Sequence, residues 1–504
     1  MARRHAAAVA LAGLLLAGAG PVVETDLGPV RGEAAKGAAL FRGIPFAAPP
    51  VGDLRWRPAQ PAKAWKPVRD ATRFGPDCPQ PTRPGDKAAP QDENCLTVNV
   101  FTPDPKAKKL PVLVSIHGGA FFVGSGRDMM ETADGAPPPL VREGVVLVSP
   151  NYRIGRLGFF AHPALSAEAN GATPANFWLS DQIAALQWVQ RNIARFGGDP
   201  DNVTIVGCSA GGSSVNSLVV GPASRGLFDK ASVRSGGGLF NATRPLAVAE
   251  TQGLEFAART GVEGRDAAAL GRLRGLSVAQ VLAGDSGPPN FGAVVDGVLL
   301  PDEIPALYAR GAAAGTPMLI GSTSDEASIF GLMGFDKKTL KDRFGVDVDA
   351  LRPAYEVNGP LDDAELLRQV QTDFIFTSAT VAVANMAARS GGPAWSYNFD
   401  WTPEGSTAKG APHCADMAYL FGVAKEDKQG EAEMNRLMMG QFMNFVRSGT
   451  PNGPGLVDWP RHAGAAPPTL VVGKGTKAVP GFRATQLQPY FQMVPAEWKT
   501  GSAE

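Results

Sequence analysis

The chain has 504 residues, 44% of them hydrophobic and 19% charged, enough apolar content to bury a large core without requiring staples. Lys plus Arg and Asp plus Glu both number 48, so the formal net charge is zero. No global field draws in nucleic acid or an acidic membrane surface, and neither partner is implied.

At the N-terminus, Arg3 and Arg4 precede an apolar run from Ala6 to Ala17, and Ala17-Gly18-Ala19 offers a small-x-small cleavage site. The run is shorter than the ~20 apolar residues of a spanning helix. These features predict a signal peptide over residues 1–19, a mature chain starting close to Gly20, and a secreted or periplasmic protein. The arginine pair alone is only a weak sign of a twin-arginine route. No later segment reaches spanning length without charges or turn residues, so no membrane span is expected after cleavage.

Four runs rich in Val, Ile and Leu then end in glycine or turn residues: PVLVSIHGG from Pro111, GVVLVSPNYR from Gly144, VTIVGCSAGG from Val203 and TPMLIGST from Thr316. Continuous rather than alternating hydrophobicity predicts buried central strands. Between them, Asp181 to Phe196 reads as a helix, with Ile183, Leu186, Trp188 and Ile193 on its apolar face, Asp181 in its first turn and Gly197-Gly198 as its stop. Further helices are expected over Asp362 to Arg389 and Glu431 to Arg447. The Pro- and Gly-rich stretches Pro79 to Pro90, Pro137 to Pro139 and Asn452 to Pro468 read as surface loops. Alternation of strand and helix predicts an α/β fold with a mostly parallel twisted sheet covered on both faces. With no internal repeat and no break in composition, residues 20–504 are expected to form one domain.

Two of the strands lead into chemistry. Val203 to Val206 runs into Gly207-Cys208-Ser209-Ala210-Gly211 and then a predicted helix from Ser213. Small residues two before and two after the serine allow a sharp turn that lifts its side chain above the sheet, and the helix aims NH groups at developing negative charge. A bare G-x-S-x-G arises by chance in Gly-rich chains, but this one follows a strand, which makes Ser209 the candidate nucleophile. Upstream, the strand Pro111 to Ile116 leads to His117-Gly118-Gly119-Ala120-Phe121, whose small residues let free backbone NH groups approach a substrate oxyanion. The alternative is a glycine turn of purely structural purpose.

Three further segments carry a resemblance. They are Ala184 to Asn202 before the elbow, Phe41-Arg42-Gly43-Ile44-Pro45-Phe46-Ala47 with Pro49-Pro50-Val51-Gly52, and Asn151-Tyr152-Arg153 with Leu157-Gly158-Phe159. Together the chain resembles the type B carboxylesterase and cholinesterase family from about Gly28 to beyond Phe421. The resemblance implies the α/β-hydrolase fold, hydrolysis of carboxylic esters through an acyl-enzyme on a Ser-His-Glu triad, and no metal or organic cofactor. It places the acid at Glu326 in Ser324-Asp325-Glu326, the base at His413, and the oxyanion donors at the backbone NH groups of Gly119, Ala120 and Ala210. The residues agree in part: of five histidines only His413 and His462 follow the elbow, as the Ser, acid, His order of this fold requires. His462 sits in a Gly/Pro/Ala loop and is expected to be solvated, Asp325 is the rival acid, and His117 reads as a packed neighbour of the oxyanion turn. No His/Cys cluster has a zinc spacing.

The chain departs from the family at Cys208, where Glu is usual, at Trp178, where Gly is common, and at Ala327, where Gly is usual. Choline esters are accordingly not expected as substrates. The fold also serves in non-catalytic binding modules, against which the joint presence of Ser209, Glu326 and His413 argues. Lipase, thioesterase and amidase remain open, because pocket walls set specificity and motifs do not reveal them.

Four cysteines allow three pairings in an exported protein. The resemblance implies a Cys78–Cys95 disulfide. Cys208 and Cys414 adjoin Ser209 and His413, and two readings stand: a pair of small buried hydrophobes, or a bond tying the elbow to the histidine loop. The second is similar to the local arrangement in tannases and fungal feruloyl esterases.

Overall fold

The Val/Ile/Leu runs become neighbouring strands because a strand covered on both faces has no polar side to alternate. The computed structural model describes residues 20–82, 89–132, 134–237, 243–285, 291–332 and 335–493. The expected signal peptide, residues 1–19, lies outside the described residues. Among the described residues, eleven strands share one sheet. In chain order they are β1 (Glu33–Ala35), β2 (Ala38–Pro45), β3 (Thr97–Thr102), β4 (Leu110–Ile116), β5 (Val146–Pro150) and β6 (Gly198–Cys208). There follow β7 (Lys230–Arg234), β8 (Met318–Thr323), β9 (Ala394–Phe399), β10 (Pro468–Val472) and β11 (Lys477–Pro480).

Their order across the sheet is β1-β2-β3-β5-β4-β6-β7-β8-β9-β10-β11. Neighbours from β5 through β10 pair in parallel, and the strands at both edges pair antiparallel. Strand β4 lies between β5 and β6, so the chain steps to one side of it to form β5 and then crosses to its other side to form β6. Crevices at the carboxyl ends of strands at such a reversal are where open α/β sheets bind ligands. The ends of β4 and β6 carry the two glycine-rich turns.

Helices cover both faces. Along β4, Val112, Val114 and Ile116 join a core with α1 (Phe177–Asn192) and α2 (Ala210–Val220), while Leu113 points to the other face. That face is covered by α5 (Asp416–Leu420) and α6 (Glu431–Ser448), the latter through Met434, Met438, Phe442 and Phe445. The sequence pattern for Asp362 to Arg389 resolves into α3 (Asp363–Thr372), a π-turn over Asp373–Thr377 and α4 (Ser378–Arg389). Helix α1 begins four residues before the expected Asp181. Asp181 is not a solvated first-turn acid: it is fully buried and takes Arg153 through Nε at 2.8 Å, Nη2 at 2.7 Å and the backbone NH at 3.0 Å. The stop is where the glycines put it, after a 3-10 turn over Ile193–Phe196, with Gly197 at φ 88°. No helix among the described residues is long and apolar enough to cross a membrane.

Candidate active site

Ser209 sits between β6 and α2 at φ 59°, ψ −125°, a backbone conformation that costs free energy for any residue with a Cβ. The surrounding glycines show what permits it. A Cβ on Gly207 would fall 2.4 Å from the Gly211 backbone, and one on Gly211 would fall 2.2 Å from the Ile116 carbonyl oxygen. The turn is closed by a hydrogen bond from the Ser209 NH to the Arg234 carbonyl at the end of β7, at 3.0 Å. Helix α2 therefore starts at Ala210, three residues earlier than Ser213.

The neighbouring turn is equally constrained. Gly118 packs against the elbow, since a Cβ there would lie 2.7 Å from the Cys208 carbonyl oxygen and 3.4 Å from the Ser209 Cβ. Gly119 has φ 103°, and Ala120 and Phe121 also hold positive φ at 55° and 58°. The internal hydrogen bonds run from the NH groups of Phe122 and Val123 to the Gly119 carbonyl, at 2.9 and 3.0 Å, and none uses the NH of Gly119 or Ala120. The Ala210 NH, at the first position of α2, has no preceding turn to bond. These three amides belong to the turns that flank Ser209.

The candidate acid and base come from distant loops. Glu326, fully buried, accepts a hydrogen bond on Oε1 from the Thr323 NH at 2.7 Å and from Ser235 Oγ at 2.6 Å. Its Oε2 is hydrogen-bonded to His413 Nδ1. The two loops are fastened to each other: the Asp325 NH donates to the Ala411 carbonyl at 2.9 Å, the Ala411 NH to Ser324 Oγ at 2.9 Å, and the His413 NH to Ser328 Oγ at 3.0 Å. The ring of Phe376 lies 4.9 Å from that of His413. The other ring nitrogen, Nε2, is buried and has no hydrogen-bond partner among the described residues, Ser209 included. Such contacts are often long in unliganded hydrolases.

Both cysteine pairs are disulfides. Cys78–Cys95 spans 17 residues, with Cα atoms 5.0 Å apart, and Cys208–Cys414 spans 206 residues, with Cα atoms 6.0 Å apart. The second bond joins the residue before Ser209 to the residue after His413, and a His413 ring nitrogen lies within 4.8 Å of both sulfurs. Of the two readings of this pair, the structure contains the bond.

The remaining candidates fall elsewhere. Asp325 faces away from His413 into an ion pair with Arg368 at 3.1 Å. His117 is buried, stacks on Tyr152 with 4.2 Å between ring centroids, and burial holds its pKa below the usual histidine range. Trp178 is buried, stacked on Phe159 at 5.1 Å and packed on Phe121 at 5.1 Å, so it stiffens the floor beneath the Gly119–Phe121 turn. The expectation for His462 is corrected. It is 2% exposed, 2.8 Å from Ser396 Oγ and 3.0 Å from Asn385 Oδ1, and burial pushes its pKa down to about 4. Its loop composition resembles a solvated one, but the loop folds back over β9. Ser235 was not foreseen, because a serine just past a strand end carries no motif of its own.

A mostly parallel sheet with a strained serine at one strand end and a buried Glu-His pair beside it defines the α/β-hydrolase class. The model of the carboxylesterase family matches residues 19–488, and the chain belongs to that family. It is 35% identical over 478 residues to the para-nitrobenzyl esterase of Bacillus subtilis (strain 168), covering 90% of this chain and 94% of that protein. It is 35% identical over 448 residues to the fumonisin B1 esterase of Sphingopyxis macrogoltabida, covering 84% and 81%. A solved para-nitrobenzyl esterase superimposes with a TM-score of 0.81 at 32% identity, covering 93% of this chain and 99% of that one. The carboxylesterase of Geobacillus stearothermophilus gives a TM-score of 0.80 at 32% identity, covering 93% and 100%. The chain is a carboxylic ester hydrolase.

Proposed function

We propose that residues 20–504 act as one exported serine esterase domain in which Ser209, His413 and Glu326 form the catalytic triad. Ser209 Oγ attacks the ester carbonyl and passes its proton to His413 Nε2, which then protonates the leaving alcohol. Water repeats the sequence on the acyl-enzyme and releases the acid. Glu326 keeps the proton on Nδ1 and offsets the imidazolium charge, while the NH groups of Gly119, Ala120 and Ala210 receive the oxyanion. The observation that carries this reading is the hydrogen bond between Glu326 and His413 Nδ1, which leaves Nε2 as the nitrogen available to the serine. Relatives named for para-nitrobenzyl and fumonisin B1 esters favour a small-molecule or polymer-linked carboxylic ester as substrate, and Cys208, where the family usually has an acid, argues against choline esters. Two disulfides fit an oxidising compartment and hence removal of residues 1–19 on export. The purified mature chain is expected to hydrolyse short p-nitrophenyl esters. Intact activity in Ser209→Ala rejects the triad.

A further inference from the structure

Beneath the proposed triad lies a set of charges that its chemistry does not use. Arg234, the last residue of β7, is 0% exposed, Asp416, the first residue of α5, is 1% exposed, and Tyr397 on β9 is 0% exposed. The Arg234 guanidinium is 3.7 Å from Asp416 Oδ2, 4.6 Å from the centroid of the Tyr397 ring and 5.2 Å from that of Phe442, and its Nε donates to Ser232 Oγ at 2.8 Å. The Tyr397 hydroxyl donates to the same Asp416 oxygen. Asp416 Oδ1 and both terminal nitrogens of Arg234 have no hydrogen-bond partner among the described residues.

Both members of the pair are rooted in the site. The carbonyl of Arg234 accepts the Ser209 NH, and the next residue, Ser235, donates to Glu326. Asp416 stands three residues after His413, on a turn closed by hydrogen bonds from the Ala415 NH to the Pro412 carbonyl at 3.0 Å and from the Met417 NH to the Cys414 carbonyl at 3.1 Å. Stability does not account for the pair, because apolar side chains of similar volume serve a buried position as well or better. The charge count gives a different reason. With both carboxylates ionised, these two and one guanidinium leave the cluster at −1 while His413 is neutral, and at zero once His413 holds the serine proton.

We propose that Arg234 and Asp416 are positioning residues for ester hydrolysis. Arg234 keeps Asp416 ionised, Asp416 joins Glu326 in offsetting the charge that His413 acquires, and the pair ties the end of β7 to the histidine loop. The proposal rests on the triad reading above. The charged and titratable groups facing Asp416 are Arg234 from β7, Tyr397 from β9, Glu326 from the loop after β8 and His413 from its own loop, while Glu431 on α6 points at the Tyr419 hydroxyl, 3.5 Å away. Burial sets the net direction of the Asp416 carboxyl, upward from the usual carboxylate range, and Arg234 is the largest influence opposing it.

The test is the pH dependence of kcat and KM on p-nitrophenyl acetate, with circular dichroism and Tm as folding controls, using the purified mature chain. Ser209→Ala is assayed first, so that a failure of the triad is seen separately. In Asp416→Asn, kcat should fall roughly 10- to 100-fold at nearly unchanged KM. The acid limb of the kcat/KM profile should also move to lower pH by about one unit, because an imidazolium that loses a neighbouring anion releases its proton more readily. If Asp416→Asn leaves Arg234 unpaired and does not fold, Asp416→Asn combined with Arg234→Gln removes both charges and carries the same test, with a smaller shift in the same direction. A role in packing alone lowers the yield of folded enzyme but leaves the limb in place. An acid limb that stays put or moves to higher pH in a folded variant, or a loss confined to KM, overturns the proposal.

Discussion

The two halves of the proposed site are built in different ways. The serine half comes from two short stretches, residues 117–120 and 207–211, each hanging from the end of an adjacent strand and each shaped by positive φ angles and by glycines that no Cβ could replace. The acid-base half comes from Arg234–Ser235, Thr323–Ser328 and Ala411–Asp416, which meet only in the folded chain and are held by hydrogen bonds and a disulfide. Local strain that backbone sterics impose can be read from residue types. A geometry assembled by long-range contacts cannot, and it can drift when one contact is lost.

The largest expected effect tests whether the two halves work as one. Ser209→Ala and His413→Ala should each lower kcat by roughly 10⁶-fold, and the double variant should be no worse than either alone. Single-turnover and steady-state rates on a p-nitrophenyl ester check this. Losses that add in the double variant would mean that the halves act independently and that the triad is wrong.

The two disulfides sharpen the same contrast. In the chain-entropy model, the 206-residue closure is worth about 5 kcal/mol and the 17-residue closure about 3 kcal/mol. Both closures therefore stabilise the fold, differing by about 2 kcal/mol, whereas only the first should bear on catalysis. Replacing Cys208 and Cys414 with Ala frees the histidine loop from the elbow, and displacement of about 1 Å can cost ~100-fold in rate. Replacing Cys78 and Cys95 with Ala should lower Tm and leave kcat of the folded enzyme unchanged. Equal kcat losses in the two variants would show that Cys208–Cys414 has no special hold on the site.

Legibility in the sequence follows the same division. The runs that became β4, β5, β6 and β8 were visible because parallel strands buried on both faces leave an unbroken apolar signature. The elbow was visible because only small residues fit at Gly207 and Gly211. Chain order narrowed the base to His413 or His462, but Glu326 was reached only through resemblance, since nothing local to Ser324-Asp325-Glu326 says which carboxylate turns inward. The direction is decided by Arg368, 43 residues away, which takes Asp325. The early start of α1 was missed because Arg153 buries Asp181, an acid whose position otherwise suits an exposed first turn.

His462 is the other histidine beyond the elbow, and a control for His413. Its partners are the Ser396 hydroxyl, the Asn385 side-chain oxygen and the Pro468 carbonyl rather than a carboxylate, and burial outweighs what they offer a charged imidazole. The unfolded chain takes up a proton near pH 6.5, and the folded ring resists it down to about 4. Between those values the unfolded state binds more protons. The stabilisation is complete above about pH 6.5 and is lost progressively as pH falls towards 4, on the order of 3 kcal/mol in all. Urea unfolding at pH 7, 5.5 and 4 should show a shallower decline for His462→Gln than for the wild type. Parallel declines in the two proteins would assign the acid sensitivity to other groups.

The smallest effect expected concerns Ser235, which borders both halves. It follows the residue whose carbonyl holds the Ser209 NH, it has φ 43°, and its hydroxyl donates to Glu326 Oε1. That oxygen has a second donor, the Thr323 NH at 2.7 Å. Ser235→Ala therefore leaves the buried carboxylate partly solvated by protein rather than orphaned, and the cost belongs near the lower end of the ~1.5–3 kcal/mol range for hydrogen bonds to charged groups. If that loss falls mainly on the transition state, where Glu326 faces an imidazolium, kcat should drop about tenfold while KM holds. A change under twofold would mean that the Thr323 NH alone orients Glu326. A loss as large as that of His413→Ala would place Ser235 in the proton path, and the boundary between the two halves would have to be redrawn around it.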